Sequence, residues 1–292
     1  MTDRIISIDC GGTNLRVAVM DRELNILAVR IVPSIKNDPK KLYDTMKALI
    51  HEVMEENGLE KAESIGMSMC GVVENNKVGR VGNLGIDFFD FESLFQRDFP
   101  GAKLYFANDA NCSALVEAEY GANKGARNSV FVTISTGIGI GVIHNGEMID
   151  LPLEGGRLLT EYQGTKYETE YLLSGNGIVH LAELNNIHVD SAYDFFTRLR
   201  TGEEAMKKLY EIWIDKLALW FANLQLLFNA ESYAVSGGVM KSKDLFFEDL
   251  AKRANAYIAN WNFKPIVLNY AAFTQDVGLA GGAALAWHAL KK

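Results

Sequence analysis

Two stretches of the chain share one pattern of apolar and polar positions. Residues 5–21, IISIDCGGTNLRVAVMD, read as an apolar strand, a glycine-containing turn and a second, alternating strand; residues 130–146, VFVTISTGIGIGVIHNG, repeat that design about 125 residues later. Two lobes that begin with the same hairpin are predicted. In each hairpin glycines stand where a strand ends and small polar residues follow, Thr13 and Asn14 in the first, Ser135 and Thr136 in the second. Without a Cβ in the way, backbone N–H groups there can approach an anion such as a phosphate. Taken singly, each hairpin is also an ordinary glycine turn.

Between and beyond the hairpins the pattern is that of an α/β protein. KLYDTMKALIHEVMEEN (41–57) puts Leu42, Met46, Leu49, Ile50, Val53 and Met54 on one helical face and stops at Asn57-Gly58, the usual C-terminal punctuation. SIGMSMCGVV (64–73) reads as a buried strand and turn and KLYFAND (103–109) as another strand, implying parallel strands with crossover helices. EEAMKKLYEIWIDKLALWFANLQLLFN (203–229) is a long helix, apolar almost all round from Leu217 onward and so expected to be buried. YAVSGGVM (233–240) is a strand ending in a glycine pair, with SKDLFFEDLAKRANAYI as the next helix. DVGLAGGAALAWHAL (276–290) is a helix whose small residues permit close packing, expected across the lobe boundary. Ligands of such sheets collect beyond the carboxyl ends of the strands.

Composition narrows the class. A length of 292 residues is long for one core and comfortable for two. With 48% apolar and 23% charged residues, the chain has no run approaching the ~18 to 20 apolar residues that span a bilayer. MTDRIISIDCGG does not read as a signal peptide, so a cytoplasmic protein is expected. Cys10, Cys70 and Cys112 fit neither a disulfide framework nor a paired-cysteine zinc site and are expected to be reduced. A net charge of -8 argues against a general nucleic-acid binder. The five histidines share no spacing, Trp213 and Trp220 read as packing, and neither a Walker loop nor a dinucleotide fingerprint is present.

FANDANCSALVEAEYG (106–121) carries the chemistry. Asp109 is a carboxylate between two asparagines, Asn108 and Asn111, where a strand hands over directly to a helix. One reading is a helix N-cap. The cap leaves three polar residues at an apolar junction unexplained, and a carboxylate near a phosphate site can accept the proton of an attacking hydroxyl. That second reading makes the protein a phosphotransferase.

DCGGTNLRVAV, NDANCSALVEA, TISTGIGIGV and VSGGVM, in this order, resemble the ROK family (repressors, open reading frames and sugar kinases) of the actin-like ATPase superfamily, over residues 5 to about 288. The resemblance implies an α/β, two-lobed actin-like ATPase (ribonuclease H-like) fold with the active site in the interlobe cleft. It places a small N-terminal lobe at 1–116 plus the C-terminal helix 276–292, and a large lobe at 117–275. It further implies ATP with magnesium, transfer of the γ-phosphate to a hexose or hexosamine hydroxyl, usually the 6-OH, and a homodimer.

By the same resemblance, Asp9 matches the aspartate near the magnesium, and Gly11, Gly12, Thr13 and Asn14 the first phosphate loop. Thr136, Gly137 and Gly139 match the second loop, and Gly237 and Gly238 the pair beside the adenosine. Asp109 is implied as general base, with Asn108 hydrogen-bonding a neighbouring sugar hydroxyl. Asn83 in GNLGIDFFDF and Gly71 are implied in the sugar pocket, although a turn asparagine and a turn glycine read the same way.

One segment departs from the family pattern. Most of the family carries Glu-x-Gly-His followed by closely spaced cysteines that hold a structural zinc; here LEGGRLLTEYQGTKYETEYLLSG (153–175) keeps Glu154 and Gly156, puts Arg157 at the histidine position and has no cysteine. Arginine cannot serve as a zinc ligand, so no zinc is expected. Glu170 matches the glutamate that reaches the sugar, or is a solvated helix charge. Arg157 is expected either to steady Glu154 and Glu170 or to select a sugar substituted at carbon 1 or 2, such as a β-glucoside, an N-acylhexosamine or an acidic sugar. Besides a sugar kinase, two classes remain in view: a family-type repressor, whose DNA-binding module is not visible, and a catalytically silent sugar sensor, against which Asp9, Asp109 and the glycine loops speak.

Overall fold

The computed structural model describes residues 3–74, 76–274 and 276–291. The chain forms two compact units: unit 1 is Met1–Glu119, Met148–Pro152 and Gln275–Lys292, and unit 2 is Tyr120–Glu147 and Leu153–Thr274.

Unit 1 opens with β1 (Ile5–Cys10), β2 (Asn14–Met20) and β3 (Ile26–Pro33), then α1 (Pro39–Glu56) and β4 (Ser64–Met69). A short ladder of β5 (Val73–Glu74) and β6 (Lys77–Val78) follows, then α2 (Phe91–Asp98), β7 (Lys103–Asn108) and α3 (Asp109–Glu119). The sheet order is β3-β2-β1-β4-β7, with β1 antiparallel to β2 and parallel to β4, and β4 parallel to β7. Period-2 burial drives the hairpin: Leu15 and Val17 face the core below α1, whose Leu42, Met46, Ile50 and Val53 are buried on one side as their spacing demands. Asp38 caps α1 by accepting from Lys41 N, and Asn57 with Gly58, at φ +61°, ends it.

The opposite face of the sheet is covered by the C-terminal helix, Val277–Leu290, which packs on β1, β4, β7 and α3. Its small residues serve close approach within unit 1. A Cβ placed on Gly66 would lie 1.9 Å from the carbonyl oxygen of Gly282, and the Ser7 hydroxyl donates to Leu279 O at 2.6 Å. The three cysteines are free and buried.

Unit 2 repeats the arrangement. Its elements are β8 (Ser129–Ile134), β9 (Ile138–His144), β10 (Glu147–Met148), β11 (Leu159–Tyr162), β12 (Thr165–Glu168), α4 (Thr169–Leu173), α5 (Gly175–Leu184), α6 (Ala192–Arg200), α7 (Glu204–Phe228), β13 (Ser232–Ser236), α8 (Phe247–Ile258) and β14 (Leu268–Tyr270). The order β10-β9-β8-β13-β14 has β8 antiparallel to β9 and parallel to β13, as β1 relates to β2 and β4 in unit 1. The shared hairpin is thus the seed of a shared sheet. Trp213 is fully buried among Phe195, Phe196 and Phe246, and its indole N–H donates to Leu173 O. All-round burial of α7 is not met: Leu219, Leu226 and Leu227 are exposed, because α4, α5, α6 and α8 pack on its other sides. No helix among the described residues is long and apolar enough to cross a membrane.

Candidate active site

In unit 1 the candidate residues gather at the carboxyl ends of three adjacent parallel strands. Asp9 lies near the end of β1, Gly71 just past β4, and Asn108 and Asp109 at the β7–α3 junction. The Cys70 N–H donates to Cys10 O at 3.0 Å, joining the first two ends. Asn108 Nδ2 donates to Gly71 O at 2.8 Å, joining the second and third. Gly71 has φ +129°, a region open to glycine, and a Cβ there would meet Arg80 O at 2.9 Å.

The junction resolves the cap question. Asn108 Oδ1 accepts from Ala110 N at 2.9 Å, so the residue preceding the helix is the cap. Asp109 Oδ1 accepts from the same N–H at 2.9 Å, yet Asp109 is exposed at the N-terminal pole of α3, where the helix dipole accommodates negative charge. Asn108 keeps one amide hydrogen and a lone pair beyond these two bonds.

Asp9 has a harsher setting. Burial pushes its carboxyl up to about 6; the Arg16 guanidinium pulls it down, and the charges of Asp109 and Asp276 add to the rise. Arg16 is its cross-strand partner on β2, with Nε 3.9 Å from Asp9 Oδ2 and Nη1 3.2 Å from Asp276 Oδ1. A Cβ on Gly278 would lie 2.2 Å from Asp9 Cγ, so the C-terminal helix can pass only as glycine. Among the described residues no group of three or more histidine, cysteine, aspartate or glutamate side chains gathers as a metal site. A part-buried carboxylate outside any such cluster suits a cation that keeps most of its waters, as magnesium does.

The first hairpin loop is closed by Gly11 N donating to Asn14 O at 3.0 Å, and it leaves Thr13 exposed. Asn83 sits in a 3₁₀ turn, Gly82–Leu84, with its Cβ 3.0 Å from where a Cβ on Gly12 would be. The sugar-pocket candidate and the phosphate-loop candidate are in contact.

Unit 2 presents the same pairing. Ser135 N donates to Gly137 O at 2.9 Å to close the loop, Thr136 is exposed at its tip, and Gly139 lies on β9 opposite Thr133. Gly237, at φ +104°, lies so close to Ile134 that a Cβ would be 2.2 Å from its carbonyl oxygen; the site nearest to a Cβ on Gly238 is the Ser135 hydroxyl, at 3.8 Å. Glu170 Oε2 accepts from Ile138 N at 3.1 Å and lies 2.7 Å from a Cβ position on Gly137. Glu170 therefore rests on the second loop rather than in solvent. Gly175 N also donates to Ser135 O, at 2.6 Å.

Arg157 pairs with two other carboxylates. Its Nη1 donates to Glu168 Oε1 at 3.1 Å and its Nε lies 3.6 Å from Glu154 Oε2, on side chains more than 40% exposed. Glu168, not Glu170, is its hydrogen-bonded partner. The 3₁₀ turn Gly155–Arg157 is pinned by Trp220 Nε1 donating to Gly155 O. The sequence alone pointed to none of Arg16, Glu168 and Gly278, because no motif marks a contact made by strand register or by a helix some 270 residues away.

The ROK family model matches residues 5–289. The N-acetyl-D-glucosamine kinase of Vibrio cholerae is 25% identical over 270 residues, covering 86% of this chain and 89% of its own. The ROK hexokinase of Thermus thermophilus superimposes with a TM-score of 0.85 at 23% identity, over 99% of each chain. The ROK glucokinase of Streptomyces griseus, solved in complex with glucose and AMPPNP, gives 0.73 at 21% identity over 98% and 99%. With its paired sheets and repeated glycine hairpins, the chain belongs to the ROK family and has the actin-like ATPase fold.

Proposed function

We propose that the protein is an ATP-dependent sugar kinase that transfers the γ-phosphate to a hydroxyl, the 6-OH, of a hexose such as glucose. The observation that carries this reading is the Asn108–Gly71 hydrogen bond, which ties the β7–α3 junction to the end of β4, so that Asp109 stands as an exposed carboxylate on the same carboxyl edge of the sheet as Asp9. The kinase relatives support the reaction class.

In this reading Asp109 takes the proton of the attacking sugar hydroxyl as that oxygen bonds to the γ-phosphorus and the bond to the ADP oxygen breaks. Gly71, Asn83, Asn108, Glu154, Arg157 and Glu170 are assigned to the acceptor side. Gly11, Gly12, Thr13 and Asn14 in unit 1, and Thr136, Gly137, Gly139, Gly237 and Gly238 in unit 2, are assigned to the nucleotide. Asp9 would hold magnesium through water, which when bound neutralises phosphate charge. Positioning does most of the work, since little covalent chemistry falls to the protein. We read the enzyme as a cytoplasmic homodimer without zinc or nucleic-acid partner.

The second reading is a sugar substituted at carbon 1 or 2. Arg157 is flanked by Glu168 and Glu154, which use its charge and repel an anionic ligand. Within that class the arrangement favours a neutral β-glucoside or N-acylhexosamine over an acidic sugar. Coupled ADP release measured over glucose, N-acetylglucosamine, N-acetylmannosamine, a β-glucoside and an acidic sugar tests both. Release with a neutral sugar supports a kinase; release with none, or with the acidic sugar best, contradicts the account.

A further inference from the structure

The four residues Ser34–Asn37 run from the end of β3 to the cap of α1, and they touch both loops that the proposed kinase needs in unit 1. Ser34 holds the phosphate loop twice: its hydroxyl donates to Gly11 O at 2.6 Å and its N–H to Thr13 O at 2.9 Å. With Asn14 O already taken by Gly11 N, three peptide planes of that short loop are fixed from the protein side.

Asn37 holds the acceptor turn. Its N–H donates to Leu84 O at 2.7 Å, at the end of the turn that presents Asn83. It does so at φ +58°, a left-handed conformation that asparagine tolerates. Its Oδ1 fills the space beside Gly85, also left-handed at φ +63°, so closely that a Cβ there would be 2.0 Å away. No other residue than glycine fits opposite Asn37.

The strap is stiff between these two grips. Ile35 packs against the core of unit 1, and Asp38, capping α1, is followed by Pro39, whose φ is preset for a first helical turn. Gly12, between the two residues that Ser34 holds, and Asn83, next to the residue that Asn37 holds, lie against each other. A shift of the acceptor turn therefore moves the phosphate loop through a closed ring of contacts rather than through one.

Resting on the kinase reading, we propose that Ser34 and Asn37 are positioning residues that couple the two substrates: sugar seated at Asn83 pre-forms the phosphate loop for nucleotide, and by reciprocity nucleotide tightens sugar. Neither residue need touch a ligand.

Calorimetric titration of wild type with glucose, N-acetylglucosamine and N-acetylmannosamine in turn, each without and with saturating AMPPNP, reads the coupling. For the sugar that binds, affinity is expected to rise about five- to tenfold with the nucleotide analogue present. In Ser34→Ala and in Asn37→Gly, which keeps the left-handed backbone, each ligand alone should bind within about threefold of wild type while the coupling falls towards one. Asn37→Asp, which keeps the side-chain oxygen, should restore it. A merely structural role would weaken single-ligand binding and leave the ratio alone. Wild-type coupling in both variants, or none in wild type, overturns the proposal. Failure of wild type to release ADP with any sugar sinks the kinase reading instead, and the two failures are told apart because the titration does not depend on turnover.

Discussion

The backbone N–H of Ile138 donates to Glu170 Oε2 at 3.1 Å, so a carboxylate assigned to the acceptor side rests on the second phosphate loop. Unit 1 has the same arrangement, with Asn83 on Gly12. In both units a residue proposed for the acceptor lies against a glycine proposed for the phosphates, so on this reading the two substrates are hard to perturb separately.

Glu170→Ala should therefore damage both substrates. It leaves the Ile138 N–H without its charged acceptor, a loss of about 1.5–3 kcal/mol for a charge-assisted hydrogen bond, or roughly ten- to hundredfold in binding. We expect KM to rise for sugar and for ATP, and Glu170→Gln, which still accepts through its amide oxygen, to recover most of the ATP effect but not the sugar effect. Steady-state kinetics with each substrate varied checks this, and an effect confined to sugar would remove the loop contact from the account.

The Asp9 carboxyl, raised by burial from an ordinary 3.8 to about 6, binds its proton more tightly folded than unfolded. Between those values the folded chain holds the extra proton, so stability falls as pH rises through the window. At 1.36 kcal/mol per pK unit the loss above it is about 3 kcal/mol. Asp9→Asn carries no charge to bury. Without metal it should be more stable than wild type by about 3 kcal/mol near pH ~7.5, the pull of Arg16 being already contained in that shift, with little difference near pH ~4. Denaturant unfolding at the two pH values measures it, and an equal gain at both would rule out the buried charge as its cause.

Gly278→Ala drives a methyl group to 2.2 Å from Asp9 Cγ. The helix carrying it is also locked to β4 at Gly282, so it cannot simply retreat. Overpacking of this kind costs about 1–3 kcal/mol. We expect a lowered Tm and a rise in the magnesium concentration needed for half-maximal rate, with sugar KM nearly unchanged. A variant indistinguishable from wild type in Tm would show that the approach is looser than the geometry indicates.

The periodic parts of the fold were legible because burial is written in the spacing: Leu42, Met46, Ile50 and Val53 mark one face of α1, and the two glycine hairpins mark two matching sheets. The junction at Asp109 was legible as a strand end meeting a helix, while the division of labour there, Asn108 capping and Asp109 staying exposed, needed coordinates. Contacts made by tertiary placement left no local trace. Arg16 reaches Asp276 and Ser34 reaches Gly11 by strand register and loop path, and nothing in VPSIKND announces a strap. Arg157 could be seen to replace a histidine, but its choice of Glu168 depends on the turn of the β11–β12 hairpin, Leu159–Glu168. Leu226 and Leu227 read as core because an apolar helix gives no sign of which side its neighbours will cover.

If Asp109 removes the proton from the sugar hydroxyl, Asp109→Asn isolates that step, since the amide keeps the shape and the helix start but not the basicity. Single-turnover ADP release, with sugar and AMPPNP binding measured on the same preparation, is predicted to give near-normal binding and a rate lower by about two to four decades. A rate within about threefold of wild type with binding intact would contradict the account.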